Sequence, residues 1–478
     1  MKKIIIIPLI IIIIILASCS KALEPKVYGV FTSANFPKTQ QDIQALTTTF
    51  YSIFRTDWGG LYNGDQGAYP PMSSLTTDEA QWVSNTALNT FTVGPANTQY
   101  LWIYNDISYI AQITQVMSEV QNLSSISDST KSEDIGEIKV LRAWLMYVLY
   151  DLYGTVPVKM DPATLSDTSF IPRPTDSVYS RYIEQDLNDA LASPLPDINN
   201  NASDWGRVSK GMARMLLLKL YMHNKQWAQA EAMGKELINM GDYSLMPNYI
   251  DVFRQSMNKE IIYAVPTNGA TRSYWIQEVL PADGQFSSVL GINLTPGWGA
   301  QWMPWSFYDK YQAQDRRLAT IANSYQRKDG SIVTRSTGLA GAIPLKYVTD
   351  ATDMNNGTYD VVVFRYADVL LLTAEAINEQ RGPNDVLPYL QQVTNRANEQ
   401  IPASFTQASF RSFIIDERGR ELYDEGFRRQ DLIRQGLFIS YAQQRGINAQ
   451  SYQVVFPIPY STIIQSHGIV VQNPGYAQ

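Results

Sequence analysis

Residues 208–240 constrain the fold more tightly than any other stretch of this chain. Ala213, Leu216, Leu217, Leu220 and Tyr221 recur at three- and four-residue intervals, so on a helix they share one face. Trp227, Ala230, Met233, Gly234 and Leu237 repeat the pattern, and His223-Asn224-Lys225 reads as the turn between the two, with His223 facing solvent or capping the helix. Helices joined by so short a turn must lie antiparallel. Large residues on one then face alanines on the next.

Similar stripes run through Ala143–Leu152, and through Ala367, Leu370, Leu371 and Ala374 followed by Leu387, Leu390, Val393, Thr394 and Ala397. This is the packing rule of tetratricopeptide-like hairpins, although no strict period of about 34 residues holds. The repeats are degenerate, with long insertions between them. Further helices are predicted over Thr39–Phe54, from about Gln99 to Leu123, and over Glu133–Tyr153, which stops at Gly154 ahead of Pro157. The intervening stretches 243–275 and 330–364 are rich in Gly, Tyr and Thr and read as strand and loop. A mostly α helical-repeat scaffold carrying an irregular, loop-rich and aromatic-rich lobe follows.

The N-terminus has the parts of an export signal. Lys2 and Lys3 precede an apolar run from Ile4 to Leu16, broken only by Pro8. About a dozen residues is too short to span a bilayer, where about 20 are needed. Leu16-Ala17-Ser18-Cys19 resembles the lipobox of bacterial lipoproteins, in which the cysteine carries the lipid. Cys19 is the only cysteine in 478 residues, so it has no disulfide partner in the chain. The expected organisation is a signal peptide over 1–18, a lipidated tether over 19–38 and one domain over 39–478, held at a membrane by its anchor. A formal charge of −7 and the lack of a Lys/Arg run in the mature region argue against nucleic acid as a partner.

An ordered series of motifs carries a family resemblance. Leu141-Arg142-Ala143-Trp144 is followed by Tyr153-Gly154-Thr155-Val156-Pro157, then by Ile171-Pro172-Arg173 ahead of Val178-Tyr179, Ile183 and Asp186-Leu187. Arg365-Tyr366-Ala367-Asp368-Val369-Leu370-Leu371-Leu372 leads into Ala374-Glu375-Ala376. Asp416-Glu417-Arg418-Gly419-Arg420-Glu421-Leu422 runs on to Glu425-Gly426-Phe427-Arg428-Arg429, and the chain closes with Phe456-Pro457-Ile458-Pro459 and Asn473-Pro474-Gly475-Tyr476. Together, behind a lipobox, these resemble the SusD/RagB family of outer-membrane nutrient-binding lipoproteins. The resemblance implies about four tetratricopeptide-like helix pairs, drawn from 39–240 and 365–478, backing a variable lobe at about 241–364. It also implies an outward-facing outer-membrane lipoprotein that captures glycans, or sometimes peptides, and covers a SusC-like TonB-dependent transporter. Family members are not hydrolases.

The residues themselves point the same way. Asp416/Arg420, Arg420/Asp424 and Glu425/Arg429 are i,i+4 pairs on a helix and Arg428/Asp431 an i,i+3 pair, so the acids read as scaffold ion pairs unsuited to general-acid work. Arg365, Asp368 and Glu375 read likewise. His223 and His467 are the only histidines, which excludes a His/Cys zinc site. No cofactor is expected. Calcium is an alternative at Asp353–Gly357 and at Asp57 with Asn63-Gly64-Asp65, but neither has a specific ligand spacing, and turn chemistry explains both better.

Binding is expected from aromatic residues on loops. Sugar rings stack their C–H faces on Trp and Tyr while hydroxyls need polar groups in the ring plane. Asp57, Trp58 and Tyr62, with Trp82 and Asn85, form one candidate group; Tyr274, Trp275, Trp298 and Trp302, with Trp305 beside them, form the other. Trp102, Trp144 and Trp227 lie on helical stripes and read as core. The resemblance places an aromatic arc in comparable regions, with residues that vary between members. The expected function is oligosaccharide or polysaccharide binding without turnover, and the alternatives are peptide binding, a protein-binding repeat scaffold, or a hydrolase with a repeat domain.

Overall fold

The computed structural model describes residues 37–84, 86–267, 275–285, 296–347 and 359–477. Helix α1 (Gln40–Tyr51) starts at a capping box in which Thr39 and Asp42 exchange side-chain-to-backbone hydrogen bonds. The short strand β1 (Gln81–Trp82) leads toward α2 (Ile107–Gln121). A short α-helical turn, Thr98–Leu101, and then a 3-10 segment, Trp102–Asp106, stand where the helix expected from about Gln99 begins, and the 3-10 segment turns Ile103 and Tyr104 into the core. Next come α3 (Asp128–Tyr153), α4 (Asp176–Ala192), α5 (Lys210–His223) and α6 (Trp227–Asn239). From Ile138 to Tyr153, α3 is buried apart from Lys139, and the Trp144 ring stacks on Phe54 with centroids 3.6 Å apart. It ends at Gly154, whose φ of +71° is open to glycine.

The lobe follows, with β2 (Ile261–Val265), α7 (Trp275–Val279), β3 (Gly284–Gln285), β4 (Gln301–Trp302), β5 (Ile321–Ala322), β6 (Ser324–Arg327), β7 (Ile332–Thr334), β8 (Ile343–Pro344) and β9 (Val361–Arg365). All pairings among the described residues are antiparallel: β1 with β4, β2 with β9, β3–β6–β7 as a three-stranded sheet, and β5 with β8. Helices α8 (Tyr366–Arg381), α9 (Leu387–Ala397), α10 (Gln407–Leu422) and α11 (Arg428–Arg434) complete the scaffold.

The helices pack as a tetratricopeptide-like array. Each of α2 to α6 lies against the next, α6 lies against α8, and α8 against α9 and α10. Thus α6 and α8 are neighbours in space although the lobe separates them in sequence. Gly234 explains how closely they approach, because a Cβ there would collide with Thr373 Oγ1 on α8. His223 is the last residue of α5 and is half-buried, so it is neither solvent-facing nor in a free turn, the expected alternatives being a solvent-facing or a capping residue. Its Nδ1 lies 3.1 Å from Gln430 Nε2 and its ring 4.7 Å from that of Tyr150, and burial lowers its pKa.

The charged C-terminal motif pairs differently from the local spacing. Tyr423 leaves the helix, and Asp424 (φ +60°) and Gly426 (φ +83°) turn the chain before α11, so Arg420/Asp424 and Glu425/Arg429 share no helix. Arg420 binds Glu399 at 2.5 Å and Glu417 at 2.9 Å; Asp416 takes Lys310 at 2.7 Å. Arg428 reaches Asp78 at 2.8 Å, Arg429 reaches Asp151 at 3.1 Å, and Asp431 takes Arg418 and Arg434, both at 2.8 Å. The motif therefore ties distant segments together. At its centre Glu421 accepts from Arg365 at 2.6 Å, from Arg317 at 3.2 Å, and from Arg396. Burial alone would raise the Glu421 pKa, but Arg396, Arg365 and Arg317 hold it well below the ordinary 4.5.

Two outcomes are expected. Gly234→Val should cost about 1–3 kcal/mol by forcing α6 off α8, read as a lower midpoint in chemical denaturation. Glu421→Gln should cost about 3–5 kcal/mol, because it leaves buried guanidinium charge uncompensated. Since the Glu421 pKa is depressed on folding, its contribution is complete above 4.5 and is lost as pH falls from there toward the folded value. Thermal melts below pH 4.5 should therefore fall more steeply for wild type than for Glu421→Gln.

Candidate ligand-binding site

Two loops distant in sequence meet in the β1–β4 pair. Gln81 lies opposite Trp302, and Trp82 opposite Gln301. Opposed residues in an antiparallel pair share a face. One face turns Trp82 and Gln301 into the protein, where both are buried and Gln301 Nε2 donates to Asp424 Oδ1 at 2.7 Å. The other face presents Gln81 and Trp302. The Trp302 indole lies against Gly341, at which a Cβ would strike its ring.

Trp302 and Trp298 line a cleft of about 270 Å³ between residues 279–283, β6, β7 and the 338–343 loop. Trp298 is 51% exposed. Its N–H donates to the Gln277 carbonyl at 2.6 Å, and Ala300 N–H donates to that of Glu278 at 2.6 Å, so α7 holds the segment that carries both indoles. Gly299 between them adopts φ +60°. Across the cleft, the Tyr325 hydroxyl donates to Asp283 Oδ1 at 2.9 Å and Arg327 Nε donates to Oδ2 at 2.8 Å. Two indole faces thus stand beside a carboxylate, a phenol and a guanidinium, an arrangement that can stack a ring and bond its hydroxyls.

Asp424 anchors this construction from below. Its Oδ1 takes Gln301, and its Oδ2 accepts from Trp275 Nε1 at 2.8 Å. Burial pushes its carboxyl up to about 6, opposed by those two hydrogen bonds. Glu278 on α7 is also buried, and burial with Asp65 nearby raises it to about 8, but its side chain does not line the cleft.

The expected site residues separate into distinct roles. Trp298 and Trp302 line the cleft, while Trp82 lies on the buried face of the strand pair that carries Trp302. Trp275 is a buried support, not a stacking surface. Tyr62 is likewise in the core, because its loop folds back on the end of α1: Gly60 sits against the Arg55 carbonyl, and the Tyr62 hydroxyl accepts from Trp144 Nε1 at 3.1 Å. Trp58 is 57% exposed but does not line the cleft, and Asp57 is held by Arg55 at 2.6 Å. Trp305 donates to the Leu339 carbonyl at 2.9 Å and has Arg335 over its ring. Cys19, Asn85 and Tyr274 lie outside the described residues, as does the Asp353–Gly357 loop. In the other calcium candidate, Asn63 Oδ1 accepts from Asp65 N–H at 2.6 Å and Asp65 Oδ2 from Gly67 N–H at 3.2 Å, which is turn chemistry. Among the described residues no three His, Cys, Asp or Glu side chains group as metal ligands. Asp283, Tyr325 and Arg327 were not among the expected residues. The signal for the hairpin was present in Asp329-Gly330, a tight-turn dipeptide between β6 and β7.

The SusD family model matches residues 239–476, which include the cleft and the charged motif. The chain belongs to the SusD/RagB family. Curated relatives include the SusD-like protein P25 of Formosa agariphila, 26% identical over 504 residues that cover 92% of this chain and 93% of that one. Another is the starch-binding protein SusD of Bacteroides thetaiotaomicron, 24% identical over 499 residues and 88% of each chain. Among solved structures, a laminarin-binding SusD-like protein superposes with a TM-score of 0.78 at 24% identity, covering 92% of this chain and 100% of its own. Surface glycan-binding protein A from Bacteroides thetaiotaomicron, in complex with laminarihexaose, gives 0.75 at 21% identity, covering 91% and 99%.

Asp424 gives this site a stability test. Asp424→Ala should cost about 3 kcal/mol, from two hydrogen bonds to a charged acceptor at about 1.5–3 kcal/mol each, partly recovered by water. Asp424→Asn keeps one acceptor oxygen and a side chain that tolerates φ +60°, so it should lose about half as much. Chemical denaturation checks the order, and hydrogen exchange should quicken at residues 298–302 in both variants.

Proposed function

We propose that this protein is a cell-surface glycan-binding lipoprotein that captures oligosaccharide and delivers it to a SusC-like TonB-dependent transporter in the outer membrane. The observation that carries the reading is the cleft in which Trp298 and Trp302 stand beside Asp283, Tyr325 and Arg327. Asp283 and Arg327 are the charged side chains of that lining and they pair with each other. The cleft therefore suits a neutral polyhydroxyl ligand better than a charged peptide. Family membership and the starch- and laminarin-binding relatives support a glycan, and the lipobox at Cys19 supports a membrane tether. The chemistry is adsorption. Stacking and hydroxyl bonds offset the cost of ordering a flexible chain, so affinity for a single site is modest.

Affinity electrophoresis of the mature protein through gels containing starch, laminarin or other polysaccharides tests this. Retardation is expected on at least one glycan, with no release of reducing ends. Trp298→Ala and Trp302→Ala should each weaken it about tenfold or more, as loss of an aromatic anchor does. Trp58→Ala should leave it unchanged. No retardation on any glycan, or retardation that survives both cleft substitutions, overturns the assignment. Co-purification with the transporter from detergent-solubilised outer membranes tests the delivery role separately.

A further inference from the structure

A second cleft, of about 570 Å³, opens between α1, the early turns of α3 and the 194–208 connection from α4 to α5. It differs from the first in chemistry. Among the described residues none of its lining side chains is aromatic. Its charges are unequal, with Glu133, Asp134, Glu137 and Asp204 set against one guanidinium, that of Arg207. Arg207 is committed to Glu137, whose other oxygen accepts from the Tyr51 hydroxyl at 2.5 Å. Glu133/Glu137 and Asp134/Glu137 stand four and three residues apart on α3, and like charges at such helical spacings repel.

Asp134 is the member that this arrangement leaves incomplete. It is only 5% exposed, it lines the cleft, and its Oδ2 has no hydrogen-bond partner among the described residues. A buried carboxylate oxygen without a donor is costly. The same lining also has an apolar part, built by Pro194, Leu195, Pro196 and Ile198. A lining that combines an apolar part with carboxylates fits an alkyl stem with a cationic head. A metal ion fits less well, since among the described residues no three acidic or histidine side chains converge.

We propose that this cleft is a second binding site, for a primary ammonium or guanidinium group on an alkyl stem, with Asp134 as the acceptor and the Pro194–Ile198 wall against the stem. The site is independent of the glycan reading. Its occupant is either a free alkyl amine or a basic side chain of a protein partner. Burial, with Glu137 and Glu133 adding to it and Arg207 opposing, raises Asp134 to about 6. Glu133 and Glu137 from α3 and Asp204 and Arg207 from the connection are the other titratable groups of the lining, and Tyr51 from α1 donates to Glu137. Ionised Asp134 binds the cation, so affinity falls as pH drops through about 6.

Isothermal titration of the mature chain with diaminobutane, with arginine amide and with the tripeptide Gly-Arg-Gly tests the proposal. At least one probe should bind, about tenfold more weakly to Asp134→Asn than to wild type, and more weakly at a pH of about 5 than at about 7.5. Polysaccharide retardation should not change. Tighter binding of diaminobutane assigns the site to free amines; tighter binding of the tripeptide assigns it to a partner's basic side chain. Asp204→Asn, at a less buried position, serves if Asp134→Asn does not fold, and should also weaken binding. The proposal is overturned if no probe binds, if the variants bind as wild type does, or if calcium chloride displaces the probe at equal concentration.

Discussion

The structure depends on guanidinium groups that are buried without solvent and neutralised by carboxylates from distant segments. Arg317, Arg365, Arg418, Arg428 and Arg429 are among the largest fully buried side chains of the protein. Arg365 ends β9 and opens α8, and it contacts Glu260, Glu421 and Glu425 at 2.6–3.0 Å. Arg317, from the lobe, contacts Asp315, Glu399, Glu417 and Glu421. Charges of this kind are strongly penalised unless each finds its partner, so they add less to stability than to uniqueness of arrangement. A lobe seated differently on the helices would strand several of them at once.

That network leads directly to the cleft lined by Trp298 and Trp302. Glu421 lies one residue before the end of α10, and the turn that follows carries Asp424 in a left-handed conformation. Asp424 fixes Trp275 and Gln301, Gln301 pairs with Trp82 across β1 and β4, and the next residue is Trp302. A surface loop bearing large indoles is costly to order. Here the ordering is supplied by a scaffold element already held in place by ionic contacts.

The helical stripes at 213–237 and 367–397 were legible because their period is a property of consecutive residues. Gly234 belonged to such a stripe, but that it admits Thr373 depends on a helix more than a hundred residues further on. The acids and arginines of 416–431 were correctly read as structural, and their partners were not. Local spacing assumes a continuous helix, whereas Asp424 and Gly426 break it and free Arg428 and Arg429 to reach Asp78 and Asp151. Aromatic loops posed the same difficulty. Trp58 and Tyr62 sit four residues apart in one Gly-rich loop, yet one is exposed and the other packs on Trp144.

By itself the sequence determined the helical class, the tetratricopeptide-like packing and the family, all of which are written in short-range periodicity and in ordered motifs. It also left little material for a His/Cys metal site, since it carries two histidines and one cysteine, and it placed aromatic residues on loops. Only the tertiary structure decided which tryptophans face a cleft. Burial is the difference between what a side chain meets and what it could meet, and for Trp82, Trp275 and Tyr62 the neighbours that cover them come from other parts of the chain. The pairing of Gln81 with Trp302 sets one strand face inward and the other outward, and a register shift of one residue would reverse them.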